Sequence, residues 1–261
     1  RRFDGWRGLV ALGLLVLPAA ARADVWDVQA QSDNTSATEN ELVHGADQLH
    51  DLGVLSPTAP DQDWYRISQK AHSSYEVVVD ATSGDVGQTL LLERMDADGS
   101  TVAQGSTPAG IGFSRTLRFR NLGSTAVDDQ WVRIRSGSCT TDCGPEDVYR
   151  IRAYDTTYAV PRFNNSSSQV TVLLLQNPGA NPADVTVYFW SAAGALLDTY
   201  TPSSPVGPKA LLVVNTSVVP GAAGQSGAMT VTHTAGYGGL AGKTVALEPA
   251  TGFSFDSSLE I

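Results

Sequence analysis

Short runs of alternating apolar and polar residues, each closed by turn-forming residues, recur along most of the chain. They are "DWYRISQ" (63–69), "YEVVVDAT" (75–82), "TLLLERMD" (89–96), "RTLRFRNL" (115–122), "WVRIRSG" (131–137) and "VYRIRAYD" (148–155), then "QVTVLLLQN" (169–177), "DVTVYFWSA" (184–192), "ALLVVNTS" (210–217), "AMTVTHT" (228–234) and "TVALEP" (244–249). Period two sends successive side chains to opposite faces of a strand, and Val, Thr, Tyr and Phe suit that pleated surface. No long helical periodicity follows residue 23. Many short strands separated by Gly, Pro, Asn and Asp predict an all-β protein of antiparallel sandwiches, not helices around a parallel sheet.

The first residues read as an export signal. Arg1, Arg2 and Arg7 form a basic start, Leu9 to Ala21 an apolar run, and Ala21-Arg22-Ala23 a small-residue cleavage site. A signal peptide over 1–23 predicts a secreted, periplasmic or cell-surface protein, with no membrane span in the mature chain. Removing it takes four Arg and one Asp from 17 basic and 27 acidic residues, leaving 13 and 26, a net charge of −13. Such a chain repels nucleic acid, whose binding needs phosphates neutralised. Residues 24–161 hold 21 acidic and 10 basic residues, and 162–261 only five and three. That shift, with Pro161 interrupting the strand pattern, predicts two domains, 24–161 and 162–261.

Cys139 and Cys143 are the only cysteines. No second pair completes a metal site, so an exported chain is expected to join them as a disulfide. "GYGGLAGKT" (236–244) imitates a phosphate-binding loop, but Tyr237 stands where the first glycine is required and Pro249 follows too soon for a helix. It is expected to be a loop between strands. No nucleophile elbow and no H-E-x-x-H spacing occurs, so no catalytic constellation is evident.

Two features carry more chemistry. Acidic clusters occur at "SDN" (32–34), "PDQDWY" (60–65) and "DADGS" (96–100). The last reads as a hairpin turn, whereas the aspartates of the first two can aim oxygens at one point, as calcium needs. The second feature is an arginine alternation: Arg118 and Arg120, Arg133 and Arg135, Arg150 and Arg152. Each pair shares a strand face. Neighbouring strands would make them one basic stripe for an acidic glycan or a carboxylate-bearing partner; otherwise they pair with Glu76, Asp80 or Glu93 across strands.

The stretch "NELVHGADQLHDLGVLSPTAPDQDWYRISQKAHSSYEVVVDATSG", with "LERMDADGSTVA" (92–103) and "YRIRA", resembles the bacterial pre-peptidase C-terminal domain over about residues 28–157. The resemblance implies a non-catalytic β-sandwich of the kind appended to secreted peptidases. Collagen-binding domains of bacterial collagenases are similar in fold and bind calcium. The resemblance therefore implies Asp33, Asn34, Asp61 and Asp63 as calcium ligands, although Gln29 and Gln31 are neutral where further acidic ligands would fall. The tail looks like an immunoglobulin-like sandwich. Together these readings predict an exported non-catalytic protein that recognises an extracellular protein or glycan. An accessory role in a secreted peptidase system and a glycan hydrolase with a carboxylate pair are the alternatives.

Overall fold

The computed structural model describes residues 26, 33–53, 61–82, 90–106, 114–136, 146–166 and 168–260. The expected signal segment and both cysteines lie outside them. The chain is all-β. Strands β1 (Ala46–Asp51), β2 (Gln62–Gln69), β3 (Ser73–Ala81), β4 (Leu90–Met95), β5 (Val102–Gly105), β6 (Arg115–Asn121), β7 (Val127–Ser136) and β8 (Val148–Asp155) form two four-stranded antiparallel sheets, in the orders β1-β8-β3-β6 and β2-β7-β4-β5. Strands β9 (Tyr158–Asn164), β10 (Val170–Gln176), β11 (Val185–Ser191), β12 (Leu196–Tyr200), β13 (Leu211–Asn215), β14 (Ser226–His233), β15 (Ala241–Glu248) and β16 (Phe253–Ser258) form two more, ordered β12-β11-β14-β9 and β13-β10-β15-β16.

The alternation in sequence becomes the division between core and surface. In the first sandwich Tyr65, Ile67, Leu90, Leu92, Val132 and Ile134 from one sheet meet Val77, Val79, Leu117, Phe119 and Ile151 from the other. In the second, Val160, Val187, Phe189, Met229 and Val231 face Leu173, Leu175 and Val214. Strand β9 pairs with β14, so residues 158–161 belong to the second sandwich. The junction is Thr156–Thr157, not the expected 161/162. Pro161 does not interrupt the sheet because β9 is an edge strand, where a missing N–H is tolerated.

The "DADGS" turn closes the β4–β5 hairpin, with Gly99 at φ +64°. Asp98 accepts hydrogen bonds from the backbone of Ser100 (2.8 Å) and Thr101 (2.9 Å) and from the Thr101 hydroxyl (2.8 Å). These donors hold its carboxyl well below the usual range. Its oxygens serve the turn.

The glycine-rich segment clasps the two sandwiches together. Glu76 on β3 accepts Arg118 Nε at 2.7 Å and, from the other sandwich, the backbone N–H of Tyr237 at 2.7 Å. The Tyr237 ring stacks on Tyr154, centroids 4.5 Å apart. A Cβ on Gly236 would lie 3.0 Å from Glu76 Oε1 and 3.1 Å from Arg118 Nη2, so a larger residue there would press on this ion pair. Arg120 adds a longer contact, 3.9 Å, to Asp184.

His233, at the end of β14, is buried at this junction, 5.1 Å from the Tyr158 ring. Burial pushes its imidazole down to about 4 against the opposing effect of the Thr156 and Ala235 backbone, with Arg118 and Arg120 adding to the depression. Unfolded histidine titrates near 6.5, so the unfolded chain takes the proton first as pH falls. The contribution to stability is complete above about 6.5 and is lost towards pH 4, at a cost of roughly 3 kcal/mol. His233→Gln should flatten the decline of the urea midpoint across that window; a decline as steep as in the parent protein contradicts this account.

Candidate functional site

Polar and charged side chains gather in three places: the acidic cluster of the first sandwich, the arginine strands and the cleft between the sandwiches.

The acidic cluster lies at one end of the first core, where the inward positions of β1, β2 and β8 carry polar side chains. Asp63 and Tyr65 alternate inward with Ile67 on β2, and His50 on β1 lies directly across from Tyr149 on β8. Asp33 is brought in by the segment before β1, whose backbone binds the β2 edge: Trp64 N–H donates to Asp33 O at 2.6 Å and Arg66 N–H to Asn40 O at 2.9 Å. Asp33, His50 and Asp63 are all buried, with ligand-type atoms within 4.8 Å of one another. His50 Nδ1 is 3.5 Å from Asp33 Oδ2, and His50 Nε2 is 2.9 Å from Gln48 Oε1. Tyr149 donates its hydroxyl proton to Asp63 and accepts that of Tyr65, 2.6 Å away. Burial first, then the Asp63 charge, pushes Tyr149 well above its ordinary value, which keeps it a neutral donor.

Of the four expected ligands, the structure brings Asp33 and Asp63 together. Asn34 and Asp61 stand beside them, tied to Gln62: its side-chain amide donates to Asn34 O (3.3 Å) and its backbone N–H to Asp61 Oδ1 (2.9 Å). His50 joins instead, a residue that no sequence motif singles out. The signal was its place two residues after Gln48 on the inward face of a strand. The carboxylates and imidazoles brought together among the described residues are those of Asp33, His50 and Asp63, and an imidazole is foreign to the oxygen cage that calcium prefers.

The six arginines do not make one stripe. Arg133 and Arg135 lie on β7 in one sheet; Arg118 and Arg120 on β6 and Arg150 and Arg152 on β8 belong to the other, separated by β3. Each also has an acidic neighbour. Arg118 meets Glu76, Arg120 faces Asp184, Arg150 meets Asp47 at 2.9 Å, and Arg152 meets Asp80. Arg133 and Arg135 both grip Glu93, at 2.6 and 2.8 Å, and Arg133 covers the Trp64 ring at 5.2 Å. Burial opposes ionisation of Glu93, but hydrogen bonds from Arg135 and Arg133 and their charges outweigh it and lower its value. The pairing that strand neighbours favour has consumed the free charge.

The cleft lies where the β2–β3 turn packs on the outer face of the second sandwich. It encloses about 490 Å³ and is lined by His44, Lys70, His72, Asp155, Tyr158 and Trp190 among others. His72 takes a left-handed φ of +51°, held by its N–H to Gly123 O (3.1 Å) and by its ring against Tyr188 (4.4 Å) and Trp190 (5.5 Å). Left-handed backbone costs a non-glycine residue roughly 1 kcal/mol, which this packing offsets. Trp190 is half-buried and fixed by Nε1–H donating to Thr230 Oγ1 at 2.9 Å. It also lines a shallower depression of about 540 Å³ running towards Arg162 and Asn164. Lys70 pairs with Asp155 at 2.9 Å, which raises the amine above its ordinary value despite partial burial.

No family model and no curated protein matches the chain. Structural similarity is low. A β-glucuronidase of Bacteroides uniformis is 10% identical with a TM-score of 0.22, covering 84% of this chain and 31% of its own. The D431N mutant VP2 protein of infectious bursal disease virus is 11% identical with a TM-score of 0.17, covering 85% and 69%. The chain thus spans about a third of the glucuronidase's length. Among the described residues no helix is long and apolar enough to cross a membrane.

Glu93→Ala should leave Arg133 and Arg135 facing each other. Unfolding free energy should fall by about 2–3 kcal/mol, less than for a fully buried pair because Arg135 is partly exposed. Denaturant titration at neutral pH measures this, and a change below about 0.5 kcal/mol would mean solvent already screens the network.

Proposed function

We propose that this is an exported, non-catalytic binding protein whose ligand, a glycan segment, rests against Trp190 in the cleft between the sandwiches. The observation that carries the reading is the cleft itself: a rigidly held indole with histidines and an ion pair around it, at the junction of two domains, where ligand sites concentrate. An indole presents a broad apolar face with a polar edge, suited to the C–H faces of a sugar ring. Hydroxyls of Ser73, Thr157 and Thr230 and the charges of Lys70 and Asp155 supply partners for sugar hydroxyls. Because Trp190 also borders the neighbouring depression, an extended oligosaccharide can continue past it.

Two observations favour binding over turnover. The Lys70 amine, held protonated by Asp155, is a fixed charge and not a base. Asp33, His50 and Asp63, which bring two carboxylates and an imidazole together among the described residues, are buried and do not line the cleft. The resemblance to pre-peptidase C-terminal domains agrees with a non-catalytic role and with export.

The test is a binding screen of purified protein against neutral and uronate-bearing oligosaccharides and against a peptide library. A glycan should bind, and Trp190→Ala should weaken it at least ~10-fold, the loss expected when an aromatic anchor worth ~1.4 kcal/mol or more is removed. Binding of peptides alone, Trp190→Ala affinity equal to the parent, or steady turnover of any oligosaccharide each defeats the proposal.

A further inference from the structure

We infer that Asp33, His50 and Asp63 hold a borderline divalent metal ion of the zinc(II) type, in place of the calcium that the sequence resemblance suggests. The inference is independent of the cleft and its ligand.

The tautomer of His50 is the first argument. Gln48 Oε1 can only accept a hydrogen bond, so at 2.9 Å the proton belongs to His50 Nε2. Nδ1 of the neutral ring then directs its lone pair towards Asp33 Oδ2, 3.5 Å away. A lone pair facing a carboxylate is repulsive unless positive charge, a second ring proton or a metal ion, lies between them, and at 3.5 Å the gap is long for a direct N–H···O bond. A ring nitrogen bound to metal, with the other nitrogen donating to an oxygen acceptor, is the usual arrangement of a ligating histidine.

The second argument is Asp33. It is 1% exposed, and neither carboxylate oxygen has a hydrogen-bond partner among the described residues. A buried carboxylate in that state is strongly destabilising unless it is neutralised or coordinated. A divalent ion among these three groups would give the Asp33 carboxylate the partner it lacks among the described residues.

The third argument is donor type and spacing. An imidazole with two carboxylates suits zinc and its neighbours among the transition metals and departs from the oxygen cage of calcium. The separation of His50 Nδ1 and Asp33 Oδ2 matches the edge of a tetrahedral zinc site, roughly 3.4 Å for metal–ligand bonds near 2.1 Å. The three ligand atoms, within 4.8 Å of one another, need only close up slightly. An outer layer is already in place: Gln48 behind His50, and Tyr149, backed by Tyr65, behind Asp63. The rings of Trp26, Tyr65 and Tyr149 enclose the imidazole, with centroids 5.9, 5.1 and 5.7 Å away.

Untagged full-length protein, stripped with chelator, should be titrated calorimetrically with zinc, cobalt(II), calcium and magnesium, with thermal unfolding followed alongside. Zinc should bind one per chain and raise the unfolding temperature, and calcium should bind at least ~100-fold more weakly, as an imidazole-bearing site dictates. Cobalt(II) should give visible bands characteristic of nitrogen coordination, absent in His50→Gln. Asp33→Asn, which preserves shape, should abolish tight zinc binding. Tyr149→Phe should weaken it ~10–100-fold, as loss of an outer hydrogen bond does. Calcium binding as tight as zinc, no metal binding by folded protein, or zinc affinity unchanged in folded Asp33→Asn and Tyr149→Phe overturns the inference. If His50→Gln fails to fold, the latter two variants decide it.

Discussion

One carboxylate ties the molecule together. Glu76 is almost wholly buried and satisfies Arg118 within its own sheet and the Tyr237 amide of the other sandwich. A buried anion with two good donors resists rearrangement, because losing either leaves charge unmatched in a poorly solvated place. The joint between the sandwiches is thereby fixed, and Tyr154 stacks on Tyr237 beside it. The cleft depends on that joint. Lys70 and His72 come from one sandwich and Trp190 and Thr230 from the other, so the cleft exists only while the two are held in this relation.

The first core departs from the second in a way that sheet physics makes conspicuous. Inward positions of antiparallel strands are ordinarily apolar, and the second core obeys: Val185, Val187 and Phe189 on β11, Met229 and Val231 on β14. At one end of the first core the inward positions read His50, Asp63, Tyr65 and Tyr149. Aliphatic residues there would pack without any desolvation cost, so the polar set lowers stability unless its charges are matched. Glu93 shows what matching by protein alone looks like, with four hydrogen bonds from two guanidinium groups. Around Asp33 no arginine or lysine performs that service among the described residues.

How much of this could be read from the chain follows the position of each strand in its sheet. The eleven quoted runs all became strands. The five that the alternation did not reveal, β1, β5, β9, β12 and β16, are all sheet edges. Edge strands tend to be short and polar because an apolar edge invites aggregation, which weakens the periodic signal, although three other edges, β2, β6 and β13, kept theirs. Strand β16 puts Phe253 and Phe255 among serines, and β1 puts Asp47 and Gln48 among its inward and outward residues alike. Losing β1 hid His50, since the cluster is assembled by strand pairing across Tyr149 and not by spacing along the chain. The arginines fared differently. Period two placed Arg133 and Arg135 on one face, and both do reach Glu93, but sheet order, which local sequence does not encode, scattered the three pairs.

The same reasoning separates the two polar centres by their access to solvent. Lys70 is mostly exposed and its partner Asp155 is reachable, so their charges remain available to a visiting ligand and are weakened by salt. Asp33 and His50 have no exposed side-chain surface, so nothing larger than an ion could meet them without opening the sandwich. Burial of that degree is unsuited to substrate turnover, which needs a path for reactants, but suits a tie between β1, β2 and the segment that carries Asp33. That segment has little apolar anchorage apart from Leu42, and its hold on the β2 edge is chiefly backbone hydrogen bonds. A contact drawing Asp33 towards His50 and Asp63 therefore acts where the first sandwich is otherwise most weakly closed.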